Sequence, residues 1–280
     1  MRKLEIPAIA GQVKKIYTEC ASDFTRKREY ARVALSYQDE VEKCSNAYTA
    51  YVPYHVVTFP HIKIGDKDKK IIEKVYTQKF AKEDSVGRKY YNVIVENAKG
   101  RCPICGGGKI KNLDHFLPKS KYPLLCVTPV NLIPTCRDCN MEKGAEVSED
   151  YYEIPFHPYL ETMQDEWVEC DLSFYPDQTF LVKFKNGYDK STDPDLWKKY
   201  TAHMRINDLA ATFNCRAEEE LENVKKTYKN AVLSCGKDTV KLSLAEAKNS
   251  AEDVDINSWK AALYRALLNH CDEFCEWLVL

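Results

Sequence analysis

Two short cysteine pairs, Cys102-Pro-Ile-Cys105 and Cys136-Arg-Asp-Cys139, bracket the part of this 280-residue chain where residue types and spacing point to chemistry. Each pair is a Cys-x-x-Cys knuckle, and thirty residues separate the two. Together they offer four thiolates, the donor set that Zn²⁺ takes in a tetrahedral structural site with Zn–S near 2.3 Å. A lone Cys-x-x-Cys is as readily a redox pair. Two of them around a compact, Gly- and Pro-rich insert favour zinc. Four thiolates leave the metal no open position for water, so this ion would clamp the segment rather than take part in a reaction. Between the knuckles stands Asp114-His115, a carboxylate beside an imidazole. Alone such a dipeptide is ordinary surface sequence; its setting is what counts.

The elements that must position it are legible nearby. Gly106-Gly107-Gly108 turns the chain into Lys109-Ile110-Lys111-Asn112-Leu113, an alternating strand that delivers Asp114-His115 at its end. A loop with Pro118, Tyr122, Pro123 and Pro129 follows, and Asn131-Leu132-Ile133 reads as the returning strand. The second knuckle opens a helix carrying Asn140 and Lys143. Strand, loop, strand and helix make a compact ββα unit pinned at both ends by zinc.

The order Cys-x-x-Cys, Asp-His, Pro, Asn-Leu, Cys-x-x-Cys-Asn-x-x-Lys resembles the HNH endonucleases, whose ββα-metal fold matches this reading. The surroundings are similar to HNH proteins of bacterial antiphage systems, including Septu- and retron-associated ones. The shared stretch comprises Gly87-Arg88-Lys89-Tyr90-Tyr91, Cys102 to Cys105, Leu113 through Pro123, Val127 through Leu132, and Cys139-Asn140. The resemblance implies that His115 is the general base that activates water, that Asp114 and Asn140 are ligands of one catalytic Mg²⁺ or Mn²⁺, and that Asn131 holds the His115 loop. A neutral imidazole suits the first task near pH 7, and hard oxygen donors suit the second. Lys143 would reach the scissile or a neighbouring phosphate, with Lys119 and Lys121 either further phosphate contacts or simply solvated. The family often has His where Asn140 stands, which leaves the preferred metal open.

The rest of the chain reads as scaffold. Helical patterns run from Lys14 to about Glu42, from Asp68 to Phe80 and from Ser85 to Ala98, with Tyr48–Ile64 extended between the first two. Past the motif, two alternating runs between Trp167 and Phe184 flank Tyr175-Pro176-Asp177-Gln178 as a hairpin. The chain is helical beyond Asp195, with Asn257 as N-cap of a final helix through Trp259, Leu263, Leu267, Phe274 and Leu278. The expected organisation is α+β: a zinc-stapled ββα-metal core in a mostly helical chain with a small β-hairpin. Its parts are an N-terminal scaffold at 1–99, the nuclease core at 100–160 and an acidic C-terminal region at 161–280. His157 is read as packing, as are His55, His61, His203 and His270. The eight cysteines outside the knuckles are read as small core or surface residues.

A net charge of -1 conceals strong segregation. Residues 1–143 hold 26 Lys and Arg against 16 Asp and Glu, and residues 144–280 hold 15 against 26. A nucleic acid would be drawn to the first part and repelled by the second. No stretch reaches the roughly 20 apolar residues of a membrane span, and no signal peptide is evident, so a cytoplasmic protein without membrane contact is expected. The leading expectation is a DNA endonuclease of the HNH type in antiphage defence, leaving 5′-phosphate and 3′-hydroxyl ends. The acidic region would dock a partner such as the ATPase or another subunit of a defence system, or shield the basic site until activation. The competing expectations are a zinc-ribbon module that binds nucleic acid or protein without cutting, and a nuclease directed at RNA.

Overall fold

A computed structural model describes residues 2–51, 62–145, 147–163 and 165–280. The fold is α+β and mostly helical, with two small antiparallel hairpins. The chain divides into two compact units, Arg2–Thr162 and Met163–Leu280. The segments 1–99 and 100–160 both lie in the first of these and contribute to one hydrophobic core.

In the first unit the helical pattern of Lys14–Glu42 is realised as three helices, α1 (Val13–Ser22), α2 (Arg28–Ser36) and α3 (Gln38–Tyr51). An unbroken helix of that length would project about 43 Å, too far for its apolar face to be covered. The chain breaks first after Ser22, at Asp23-Phe24, and again at Tyr37. Phe24 turns into the core, and Lys79 Nζ takes the Asp23 carbonyl at 2.7 Å and its carboxylate at 2.9 Å. The extended reading of Tyr48–Ile64 is corrected at its start, since α3 runs through Tyr51; residues 52–61, with His55 and His61, lie outside the described residues.

Helix α4 (Asp66–Lys74) continues into a π-helical turn, Val75–Phe80, rather than remaining one α-helix to Phe80. The wider turn stacks Tyr76 on Phe80 (5.7 Å, 24°) and leaves Ile71, Ile72, Val75, Tyr76 and Phe80 all buried. Helix α5 (Arg88–Asn97) follows from Gly87, whose N–H donates to Lys79 O at 2.9 Å. A Cβ there would come within 2.6 Å of that carbonyl and of Cys20 Sγ, so only glycine permits this approach.

Strands β1 (Asn112–His115) and β2 (Leu132–Thr135) form the first hairpin, with His115 opposite Leu132 and Asn112 opposite Thr135. Helix α6 (Arg137–Lys143) comes next. The connection between the strands is core rather than surface: Phe116, Leu117, Leu124, Leu125, Val127 and Val130 are all buried. Hydrophobic burial therefore fixes the segment that follows Asp114-His115.

The second unit is built on the hairpin β3 (Val168–Phe174) and β4 (Phe180–Asn186), close to the expected boundaries. Val168, Cys170 and Leu172 alternate inward with Val182 and Phe184. Helices α7 (Pro194–Ile206), α8 (Leu209–Cys235), α9 (Lys237–Glu252), α10 (Trp259–Asn269) and α11 (Cys271–Val279) complete it. The expected single final helix is two, α10 and α11. Its N-cap is Ser258, which accepts from Ala261 N at 3.1 Å, and not Asn257. Asn257 is buried because its amide joins two chain segments, accepting from Trp167 N at 2.9 Å and donating to Asp165 O at 2.8 Å. Among the described residues, no helix is long and apolar enough to cross a membrane.

Candidate metal centre and histidine site

The four knuckle cysteines converge. Cys102, Cys105, Cys136 and Cys139 are all buried, and their sulfurs lie within 4.8 Å of one another. A tetrahedron with Zn–S near 2.3 Å has S–S edges of about 3.8 Å; Cys105 Sγ and Cys136 Sγ are 3.9 Å apart. The donor set fits a four-thiolate Zn²⁺ site. Local geometry explains the convergence. Gly106 N donates to Cys102 O and Cys102 N to Gly108 O, a tight double turn that points both thiols of the first knuckle one way. Gly108 N also donates to Cys105 Sγ at 3.3 Å. A Cβ on Gly108 would stand 2.6 Å from Cys136 Cβ and 2.8 Å from its sulfur, so the second knuckle closes over a glycine. Hydrogen bonds with Cys102 and Cys139 hold the Cys136 thiol down to about 7, toward the thiolate that a metal requires, against the opposing effects of Cys105 and burial. The remaining eight cysteines are free; six are buried, and Cys215 and Cys235 are exposed.

His115 is a buried side chain at the end of β1. Its Nε2 lies 2.9 Å from the Cys126 carbonyl. A carbonyl oxygen only accepts, so Nε2 carries the proton and Nδ1 is the unprotonated nitrogen of the neutral ring. Tyr76 packs edge-on against the imidazole at 4.4 Å and 71°, and is itself held by a 3.0 Å hydrogen bond from its hydroxyl to Leu113 O. Burial pushes the His115 pKa down to about 3, with Lys119 and Lys143 adding to the depression.

Asp114, next along the strand, has a partner that the sequence did not announce. Lys143 Nζ lies 3.0 Å from Asp114 Oδ2 and also donates to His115 O at 2.9 Å. Burial raises the Asp114 pKa, and the Lys143 ammonium opposes that rise. Lys143 is thus turned inward rather than displayed on the surface. Asn140 is half-buried one helical turn before it, on the same side of α6. A carboxylate and an amide oxygen from β1 and α6 are hard donors of the kind that Mg²⁺ or Mn²⁺ accepts.

Asn131 is fully buried and acts on backbone. Its Oδ1 accepts from Leu117 N at 2.8 Å, and its Nδ2 donates to Leu117 O at 3.0 Å and Leu125 O at 3.3 Å. It ties the start of the loop after His115, and a second point within it, to the entry of β2. Replacing Asn131 by Ala strands these buried groups, at a cost of about 1–3 kcal/mol for each left unsatisfied. A fall in Tm of several degrees is expected in thermal melts, and an unchanged Tm would contradict the role.

Lys119 lies 5.7 Å from the Tyr76 ring, and Lys121 is exposed. His157 belongs to packing. It accepts from Tyr159 N at Nδ1 (3.2 Å), meets the Tyr48 hydroxyl at Nε2 (3.0 Å) and packs against Phe116 at 4.3 Å with the rings tilted by 49°. Tyr76 and the Cys126 carbonyl, which orient His115, carry no motif signal, because each meets it only through the fold.

The chain is 29% identical to protein ea31 of Escherichia phage lambda over 234 residues, 75% of this chain and 76% of that protein. It is 35% identical to the Septu protein PtuB of Bacillus thuringiensis over 98 residues, 31% of this chain and 38% of the relative. No protein-family profile matches the chain, and no solved structure matches it.

Proposed function

We propose that this protein is a metal-dependent endonuclease of the HNH type that cleaves DNA in antiphage defence. The observation that carries the reading is the state of His115. With Nε2–H committed to the Cys126 carbonyl, Nδ1 is left as a neutral base beside Asp114. In this reading His115 Nδ1 removes a proton from the attacking water. Asn131 and the buried loop keep the ring from turning, and Tyr76 fixes its plane. Asp114 and Asn140 would hold a divalent cation, which supplies charge relief at the leaving oxygen when bound. The four cysteines would hold Zn²⁺ and keep β1 and α6 in register. The defence role is supported by the similarity to a Septu protein over part of the chain.

A second reading, a zinc-ribbon module that binds nucleic acid without cutting it, is favoured by one observation: Asp114 already has a cationic partner in Lys143. A cleavage panel separates the two. Plasmid DNA and a structured RNA are incubated with the zinc-loaded protein and Mg²⁺ or Mn²⁺. Nicking of DNA that stops on adding a chelator of divalent cations is expected. Salt-sensitive binding without cleavage under either metal would favour the ribbon, and cleavage of RNA alone would redirect the substrate.

A further inference from the structure

Lys143 is a largely buried cation for which the nuclease reading has no task in the resting protein. Only 9% of its side chain is exposed, and only 13% of that of Asp114, which it meets at 3.0 Å. A lysine serving mainly to meet phosphate would keep its hydration; this one has given up nearly all of it, at a cost that its two contacts must offset. The oxygen that it touches belongs to the carboxylate assigned to the divalent cation. An ammonium and a divalent ion cannot hold one buried carboxylate oxygen without strong repulsion. Lys143 is the last residue of α6, and Gly144 follows with a positive φ of 60°, so its four-carbon stem leaves from a helix terminus rather than from mid-helix.

We propose that Lys143 is a tethered resident cation: it balances the charge of Asp114 while the divalent ion is absent, and yields the carboxylate when that ion enters. The inference rests on the reading of Asp114 as a metal ligand. The displaced ammonium keeps its contact with the His115 carbonyl and turns toward the phosphate of a bound substrate. A polyanionic substrate thus accepts the charge that the metal displaces, so substrate binding and metal loading favour one another.

Mn²⁺ titration of the intact, zinc-loaded protein, followed by electron paramagnetic resonance, tests this without reference to cleavage. Lys143→Met removes the charge and keeps the length, and is expected to bind Mn²⁺ about tenfold more tightly than the parent; Asp114→Asn is expected to lose the site. Equal or weaker binding by Lys143→Met, with Asp114→Asn still inactive in binding, overturns the resident-cation role and leaves the metal reading standing. Unchanged binding by Asp114→Asn overturns both. Should Lys143→Met fail to fold, amine acetylation of the parent read by mass spectrometry decides instead. Labelling of Lys143 is expected to rise on Mn²⁺ saturation, and constant labelling overturns the proposal.

Discussion

Replacing His115 by alanine is expected to lower the rate of metal-dependent DNA nicking by about 10²–10⁴-fold, the range for loss of a positioned general base. The zinc content should stay at the parent level, since none of the four cysteines touches this ring's hydrogen bond. Some stability is lost as well. The Cys126 carbonyl loses its donor, a cost of about 1–3 kcal/mol, and Tyr76 loses the ring that it packs against. Nicking assays with melts on the same samples separate a missing base from an unfolded protein, and a folded variant that cuts at the parent rate would refute the assignment. The pH dependence gives an independent check. Burial holds His115 near 3 in the folded chain against 6.5 for an ordinary histidine. A lowered folded-state pKa means that the unfolded chain binds the proton more readily. The stabilisation is therefore complete above about pH 6.5 and is lost as pH falls toward 3. Between pH 7 and 5 the parent should lose Tm faster than His115→Ala, and His115 should not itself impose an acid limb on activity near 6.5. A steeper loss in the variant would show that the ring is not buried neutral.

Loss of one knuckle cysteine should be the most disruptive change for the fold. Cys139→Ser leaves three thiols where four stand within 4.8 Å, and the metal is expected to leave. Structural Zn²⁺ in small peptides contributes about 10–16 kcal/mol of apparent binding free energy, and a bound ion here would stabilise a segment with two four-residue strands and a seven-residue helix. The expected outcome is zinc falling from one per chain to a small fraction, with proteolytic cleavage appearing between residues 100 and 145. Gly108→Ala should do the same more mildly, because its methyl group would displace Cys136 without removing a donor. Cys44→Ser is a suitable control, being buried but outside the cluster. Elemental analysis and limited proteolysis read all three, and full zinc with an intact segment in Cys139→Ser would exclude a four-thiolate site.

Local signals carried a long way in this chain. The knuckle spacing, the glycines after Cys105 and the two alternating runs after Trp167 announce features set by neighbours a few residues apart. The structure realises them as a cysteine cluster and a hairpin. Helix boundaries were less legible. The pattern from Lys14 to Glu42 keeps its apolar spacing across the break at Asp23, where the turn is held by Lys79, fifty-six residues away in sequence. Asn257 looked like a cap because asparagine suits caps; its buried amide is instead claimed by Trp167 and Asp165, which no local rule foresees.

Asp114-His115 shows where that division falls. The sequence by itself determined that a carboxylate stands beside an imidazole between two Cys-x-x-Cys pairs, because residue type and spacing are covalent facts. Only the tertiary structure decided their condition. The Cys126 carbonyl chooses the imidazole tautomer, Tyr76 sets the ring plane, and Lys143 occupies the carboxylate. Each of these depends on desolvation and on groups brought together by packing, and burial changes the charge and partners of a side chain without leaving a mark in the sequence around it.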